Sequence, residues 1–305
     1  MAGTQSQQAP ADSKTKAFLN SACGNAEKAR AALTAAGVET EEAKAEVLRG
    51  HMERAVAGGA RRILVAGGDG TIASAAALVA RKETELAILP GGTLNHFAKD
   101  HGIPTDLDEA ARVAAQGTVE GADLGYVNDT VFLNTSSIGA YVTFVRVRER
   151  FEKSFGYTLA SFLAFVRMFS SLRTLGVELE FEGVKKSYRS SLVFIGVGER
   201  ELQLPALGSR IAKGGKRGLH VMIVRGRRPA RLFAVALAGI AKGTKQAASL
   251  PQFDSFIVDA CRIDLRRSRA TIALDGELKQ MNTPLEYRIE RDAIRLVVPA
   301  PDGSE

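Results

Sequence analysis

The chain has 305 residues, 45% of them apolar and 25% charged, with a formal net charge of +7. That length allows one large or two ordinary domains with real cores, and two cysteines, Cys23 and Cys261, argue against a disulfide framework and for a reducing compartment. The moderate positive charge suits a phosphate-binding protein that approaches an anionic surface; with no zinc spacing, aromatic RNA-binding signature or long basic tract, nucleic acid is not an expected partner. Residues 1–13 are polar, lack the apolar core of a secretory signal and are expected to be disordered. The longest clean apolar run, Leu232–Ala241, is about half of what a membrane crossing needs.

From Lys14 to Leu124 short apolar strands alternate with helical stretches. Strands are predicted at Lys16–Leu19, Ile63–Ala66 and Leu86–Leu89, and helices at Asn25–Ala36, Ala43–Ala57, Ile72–Arg81 and Leu107–Gln116, the last capped by Asp106. This alternation implies a parallel sheet wrapped by helices. A further strand should precede Ala43, but Val38–Glu42 (V-E-T-E-E) is a poor strand sequence. From Asp123 the character changes. Strands rich in β-branched and aromatic residues are predicted at Tyr126–Leu133, Val177–Phe181, Tyr188–Val197, Leu219–Val224, Phe256–Leu265, Ala270–Asp275 and Leu285–Ile289. Helical inserts are predicted at Phe155–Leu172 and Pro229–Lys242. The fold class is therefore α/β plus β: an α/β nucleotide-binding domain over 14–124, then a mostly antiparallel β-sandwich domain over 125–289.

The sharpest local signal is Arg62–Thr71, R-I-L-V-A-G-G-D-G-T. A buried-strand pattern runs into Gly67, Gly68, Asp69, Gly70 and Thr71, and an Ala-rich helix follows. Glycines let the backbone approach a phosphate, and a helix N-terminus turns free N–H groups toward the anion. Asp69 would repel phosphates unless a cation sat between, so the turn reads as a Mg²⁺-nucleotide site with Asp69 as metal ligand; an Asp that merely caps the helix is the alternative. The strand Leu86–Leu89 ends likewise in Pro90-Gly91-Gly92-Thr93-Leu94-Asn95. Two such turns on successive parallel strands lie at the carboxyl edge, where open α/β sheets bind ligands. Gly92, Thr93 and Asn95 are candidate phosphate contacts, with local turn chemistry as the alternative for Thr93 and Asn95. Asp275-Gly276-Glu277 places two carboxylates on one face if the strand continues, suited to a general base and its helper, whereas a plain Asp-Gly hairpin turn is the alternative. Phe162, Phe165, Phe169 and Leu172 recur at helical intervals, as a core stripe or an acyl-contacting face. Arg225, Arg227, Arg228 and Arg231 precede an apolar run, as a headgroup-binding cluster or a solvated loop.

Gly67–Thr71 followed by L-P-G-G-T-L-N-H-F-A and the late Asp275-Gly276-Glu277 resembles the diacylglycerol kinase catalytic domain, in its bacterial lipid kinase branch. Asn20-Ser21-Ala22-Cys23-Gly24 resembles a degraded form of the family's opening N-P-x-S-G turn, making Asn20 a nucleotide-binding candidate. Asp123-Leu124-Gly125, Phe132-Leu133-Asn134 and Ile138-Gly139 resemble the start of its second domain. The resemblance implies ATP and Mg²⁺ as cofactors, a cleft between the domains, a last strand at 290–299 returning to the first domain, and transfer of phosphate to a lipid hydroxyl such as that of diacylglycerol. It implies Asp275 as proton acceptor with Glu277 assisting. It also implies a membrane lipid substrate, peripheral association with an anionic membrane surface and a cytoplasmic location, and leaves a homodimer open. An NAD kinase shares the first glycine block, though the second block and Asp-Gly-Glu argue against it; a binder without catalysis is the third reading. Two departures stand out. His96 follows Asn95 where many members have Asp. Lys216-Arg217-Gly218-Leu219 stands where many members carry an Asp-Gly-Leu linked to a structural Mg²⁺, so that accessory metal site is expected to be absent.

Overall fold

A computed structural model describes residues 15–170, 174–200, 215–225 and 253–300. The chain divides into two compact units, Met1–Ala122 with Asp292–Glu305, and Asp123–Arg291. The first is built on parallel strands β1 (Thr15–Asn20), β2 (Thr40–Ala43), β3 (Arg62–Gly67) and β4 (Glu85–Pro90), in the order β2-β1-β3-β4. Helices α1 (Ala26–Ala35), α2 (Ala45–Ala57), α3 (Asp69–Val79), α4 (His96–Asp100) and α5 (Leu107–Gln116) connect them. Ile63–Ala66 and Leu86–Leu89 are buried throughout, as continuous apolar runs in a covered parallel sheet should be. Asp106 caps α5 by accepting from the N–H groups of Asp108 (3.1 Å) and Glu109 (3.0 Å). At the opposite end of β4 from the glycine turn, buried Glu85 meets Arg62 at 2.7 Å, and Arg295–Leu296 pairs with β4 in parallel.

The second unit contains β5 (Thr118–Val127, entering at Asp123), β6 (Thr130–Phe132), β7 (Thr135–Gly139), α6 (Ala140–Ser170), β8 (Leu175–Phe181), β9 (Val184–Val197), β10 (Leu219–Arg225), β11 (Phe253–Val258), β12 (Ala260–Asp264), β13 (Arg269–Leu274), β14 (Glu277–Asn282) and the first part of β15 (Leu285–Val298). Its strands pair antiparallel in the order β14-β13-β7-β9-β8-β12-β15, with β10 on β9 and β11 on β10. Their inward residues, among them Phe132, Val177, Leu179, Ile195, Val221, Ile263, Ile272 and Tyr287, form one core.

Several elements depart from the sequence reading. The acidic stretch does form a strand, β2, because it is an edge whose exposed side chains find ion pairs: Glu42 with Arg30 at 2.5 Å and Glu41 with His51 at 2.8 Å. Tyr126–Leu133 is two strands, split where Asn128 takes a left-handed φ of 51°. Phe256–Leu265 is also two strands, β11 and β12, which pair with different partners. Helix α6 begins at Ala140, well before Phe155, and contains a break at Gly156 (φ 73°). Helix α3 starts at Asp69, three residues before Ile72. Residues Arg227, Arg228 and Arg231, the helix predicted at Pro229–Lys242 and the side chains of Phe162, Phe165, Phe169 and Leu172 lie outside the described residues. Among the described residues no helix is long and apolar enough to cross a membrane.

Candidate active site

The two glycine turns lie against each other. Gly91 N–H donates to the Gly67 carbonyl at 2.9 Å. A Cβ on Gly92 would stand 2.9 Å from Gly68 Cα and 2.9 Å from Asn95 Oδ1, so the backbones touch where a side chain would intervene. Asn20 ends β1 and ties it to the start of α3, donating from Nδ2 to Thr71 Oγ1 at 2.9 Å while its Oδ1 accepts from Ala22 N–H at 3.0 Å. Cys23 fills the space beside Gly91, and burial pushes its thiol pKa up. The structure thus brings Asn20, Gly67, Gly68, Asp69, Gly70, Thr71, Gly92, Thr93 and Asn95 to neighbouring turns at the carboxyl ends of β1, β3 and β4.

Within this cluster the polar side chains divide. Asn95 is left-handed (φ 51°) and turns its carboxamide into its own turn: Oδ1 accepts from Gly92 N–H (3.0 Å), and Nδ2 donates to Gly92 O (2.9 Å) and Pro90 O (3.3 Å). It therefore shapes the turn from within. Thr93 is exposed. Asp69 is the first residue of α3 and makes no capping hydrogen bond; Gly68 is the N-cap. Its Oδ1 is buried without a hydrogen-bond partner. A buried carboxylate oxygen with no donor is costly unless a cation or donor arrives from outside the chain.

Asp275 and Glu277 belong to the second unit. Asp275 and Gly276 are the two turn residues between β13 and β14, both at positive φ (46° and 87°), and Leu274 pairs with Glu277 across the hairpin. The strand therefore ends at Leu274, and the two carboxylates do not share one face of a continuing strand. Asp275 instead turns back into three backbone donors: Leu133 N–H to Oδ2 (2.7 Å), and Asn134 N–H (2.8 Å) and Thr135 N–H (2.9 Å) to Oδ1. Its own N–H donates to Thr135 O at 2.8 Å. Glu277 is exposed at the first position of β14. Arg148, on α6, donates to the Gly276 carbonyl at 3.3 Å, so a cation also borders the turn. The sequence reading missed the amide nest of Leu133–Thr135 and Arg148. Phe132-Leu133-Asn134 marked the nest's position without its role, and nothing in the sequence marked Arg148.

Apposed glycine turns and an unsatisfied acid at a helix start are features suited to holding a phosphate with a cation. Residues 12–127 match the family model described as the diacylglycerol kinase catalytic domain. A "Probable lipid kinase YegS-like" protein of Pseudomonas syringae pv. tomato is 37% identical over 152 residues, 48% of this chain and 48% of that one. A protein of the same description from Pseudomonas aeruginosa is 44% identical over 97 residues, 30% of this chain and 32% of that one. The match thus spans about half the length of the curated relatives or less. Among solved structures, a diacylglycerol kinase from Bacillus anthracis str. Sterne overlays with a TM-score of 0.64 at 16% identity, covering 93% of this chain and 96% of that one. A second crystal structure from that strain gives 0.72 at 20% identity, with the same coverage. At such identities these likenesses concern the fold.

Proposed function

We propose that this chain is an ATP- and Mg²⁺-dependent lipid kinase that transfers the γ-phosphate to a lipid hydroxyl such as that of diacylglycerol. The observation that carries this reading is the buried, partnerless Oδ1 of Asp69 at the start of α3, beside two glycine turns joined by the Gly91–Gly67 hydrogen bond. These residues fit a nucleotide with its metal. The turns offer backbone N–H groups to phosphate oxygens. Asp69 offers one carboxylate, and Mg²⁺ in nucleotide sites is commonly held by one or two carboxylates, phosphates and water. When bound, the ion offsets phosphate charge.

The acceptor hydroxyl must lose its proton, and in this reading Asp275 takes it. Its amide nest, with Leu133, Asn134 and Thr135 N–H groups on the two oxygens, fixes the carboxylate in one orientation to meet a substrate hydroxyl. Glu277 assists from the other side of the turn. The substrate implies a membrane partner, approached peripherally from the cytoplasmic side. Supporting this, α6 exposes Leu159 (47%), Leu163 (36%) and Val166 (52%) while Ala160 and Ala164 are buried, the reverse of an ordinary surface helix. Arg167 is exposed on the same helical segment, and Arg146 and Arg150 are exposed on the segment before the Gly156 break, which favours an anionic lipid surface as the occupant. The test is transfer of labelled γ-phosphate from ATP, with Mg²⁺, into a lipid panel in mixed micelles, with NAD⁺ as a parallel acceptor. Label in the organic phase is expected; label on NAD⁺ alone overturns the reading.

A further inference from the structure

Asp123 is the first residue of the second unit, on β5, and is only 2% exposed. A carboxylate so buried needs a counter-charge that reaches both oxygens. Arg217, 94 residues away, supplies it as a fork: Nε donates to Oδ2 at 3.0 Å and Nη2 donates to Oδ1. The segment carrying Arg217 is itself held in place. Lys216 N–H donates to Glu199 Oε2 (2.8 Å), Glu199 N–H to Lys216 O (3.0 Å) and Gly198 N–H to Gly218 O (2.8 Å). Gly218 adopts φ 148°, and a Cβ there would stand 2.7 Å from Ile257 Cγ2, so the bend that aims Arg217 requires glycine. β10 begins immediately after it, at Leu219.

We propose that Arg217 is a built-in cation that does at Asp123 the work of a divalent metal, tying β5 to the start of β10 without any ion. The resemblance set out above implies a structural Mg²⁺ held by an acid at the place of Arg217, and the residues present do not fit one. The guanidinium engages both oxygens of Asp123, and an incoming divalent ion would meet a fixed positive charge instead of a second carboxylate. The junction of β5 with the start of β10 is therefore insensitive to chelation, whatever metal the proposed nucleotide site takes.

The test uses the full chain without nucleotide, in EDTA or in millimolar Mg²⁺ or Ca²⁺, read by thermal unfolding and by hydrogen exchange over residues 118–127 and 216–224. Wild type is expected to show the same protection and the same Tm in all three. Arg217→Gln should lower Tm by about 6 °C regardless of ion, because a buried acid loses its partner. Arg217→Asp should be weak in EDTA and regain protection in Mg²⁺ or Ca²⁺, having exchanged the internal cation for a pair of acids. If Arg217→Asp does not fold, the wild-type comparison and Arg217→Gln still decide. Loss of wild-type protection in EDTA within those two segments overturns the proposal, as does an Arg217→Gln variant as stable as wild type. None of these readouts involves phosphate transfer, so this inference fails or survives separately from the proposed activity.

Discussion

Replacing Asp275 should cost stability as well as activity, and the structure sets the scale. Its carboxylate accepts three amide hydrogen bonds of 2.7 to 2.9 Å, from Leu133, Asn134 and Thr135. Leu133 and Asn134 are only 2% and 3% exposed, so water reaches their amides poorly. Hydrogen bonds to a charged group contribute roughly 1.5–3 kcal/mol each, and the three share one acceptor and do not add fully. The expected loss for Asp275→Ala is about 4 kcal/mol, or roughly 6 °C in Tm for a chain of this size. Asp275→Asn should lose less, because Asn tolerates the left-handed turn position and keeps one carbonyl oxygen, although its amide group opposes an N–H. Glu277→Gln, at an exposed position, should melt within about 1 °C of wild type. Thermal unfolding beside the phosphate-transfer assay separates the two contributions. An Asp275→Ala protein that melts with wild type yet has no transfer activity would refute the anchoring argument and leave a purely chemical role.

Four other outcomes follow from the geometry. Asp69→Asn removes a buried, unpaired acid oxygen, so the nucleotide-free protein should be at least as stable as wild type while Mg-ATP no longer raises its Tm; a Mg-ATP shift equal to wild type contradicts the metal role. Gly92→Ala drives a Cβ to 2.9 Å from Gly68 Cα and should weaken ATP binding about a hundredfold, checked by titration calorimetry; unchanged affinity would mean the turns need not touch. His220 accepts from Arg200 N–H at Nδ1 (2.9 Å), and burial lowers its pKa against an opposing pull from Glu199, with Arg200 adding to the lowering. The unfolded chain then binds the proton first, so this stability is full above about pH 6.5 and falls as pH drops below it; parallel Tm profiles for wild type and His220→Gln across that range would exclude it. Leu159→Glu with Leu163→Glu should reduce binding to anionic vesicles at low salt without lowering Tm, since both side chains are exposed; equal binding removes α6 from the membrane contact.

The first unit was legible because its signals are local. A buried β3 followed by glycines can only feed a helix start, and the same grammar recurs after β4, so two turns on adjacent parallel strands must meet at one sheet edge. β2 was not legible, because Thr40–Ala43 is held by backbone pairing to β1 and by the Arg30–Glu42 and His51–Glu41 ion pairs, not by an apolar pattern. The break at Asp259 was invisible for a related reason. Phe253–Val258 and Ala260–Asp264 each alternate as strands, and only the choice between β10 on one side and β8 and β15 on the other separates them.

The side chains show why a motif does not by itself assign roles. Asn95 and Asp69 sit three residues and one residue beyond their glycine pairs, both placed on paper to meet a phosphate. Asn95 has a left-handed backbone and turn groups within its own reach, so its three hydrogen bonds close locally. Asp69 is the first residue of a helix whose N-cap position is held by Gly68, and it makes no capping hydrogen bond, so its Oδ1 is left without a partner. Asp275 is the third case: the Asp-Gly pair forces the hairpin, and the hairpin aims the carboxylate at amides that lie 140 to 142 residues away in sequence. Turn propensity could be read from the two residues, but their long-range donors could not. The feature that separates a residue facing a ligand from one facing its own backbone is therefore whether its hydrogen bonds close within the chain, and by that measure Asp69 is the group in the cradle still awaiting a partner.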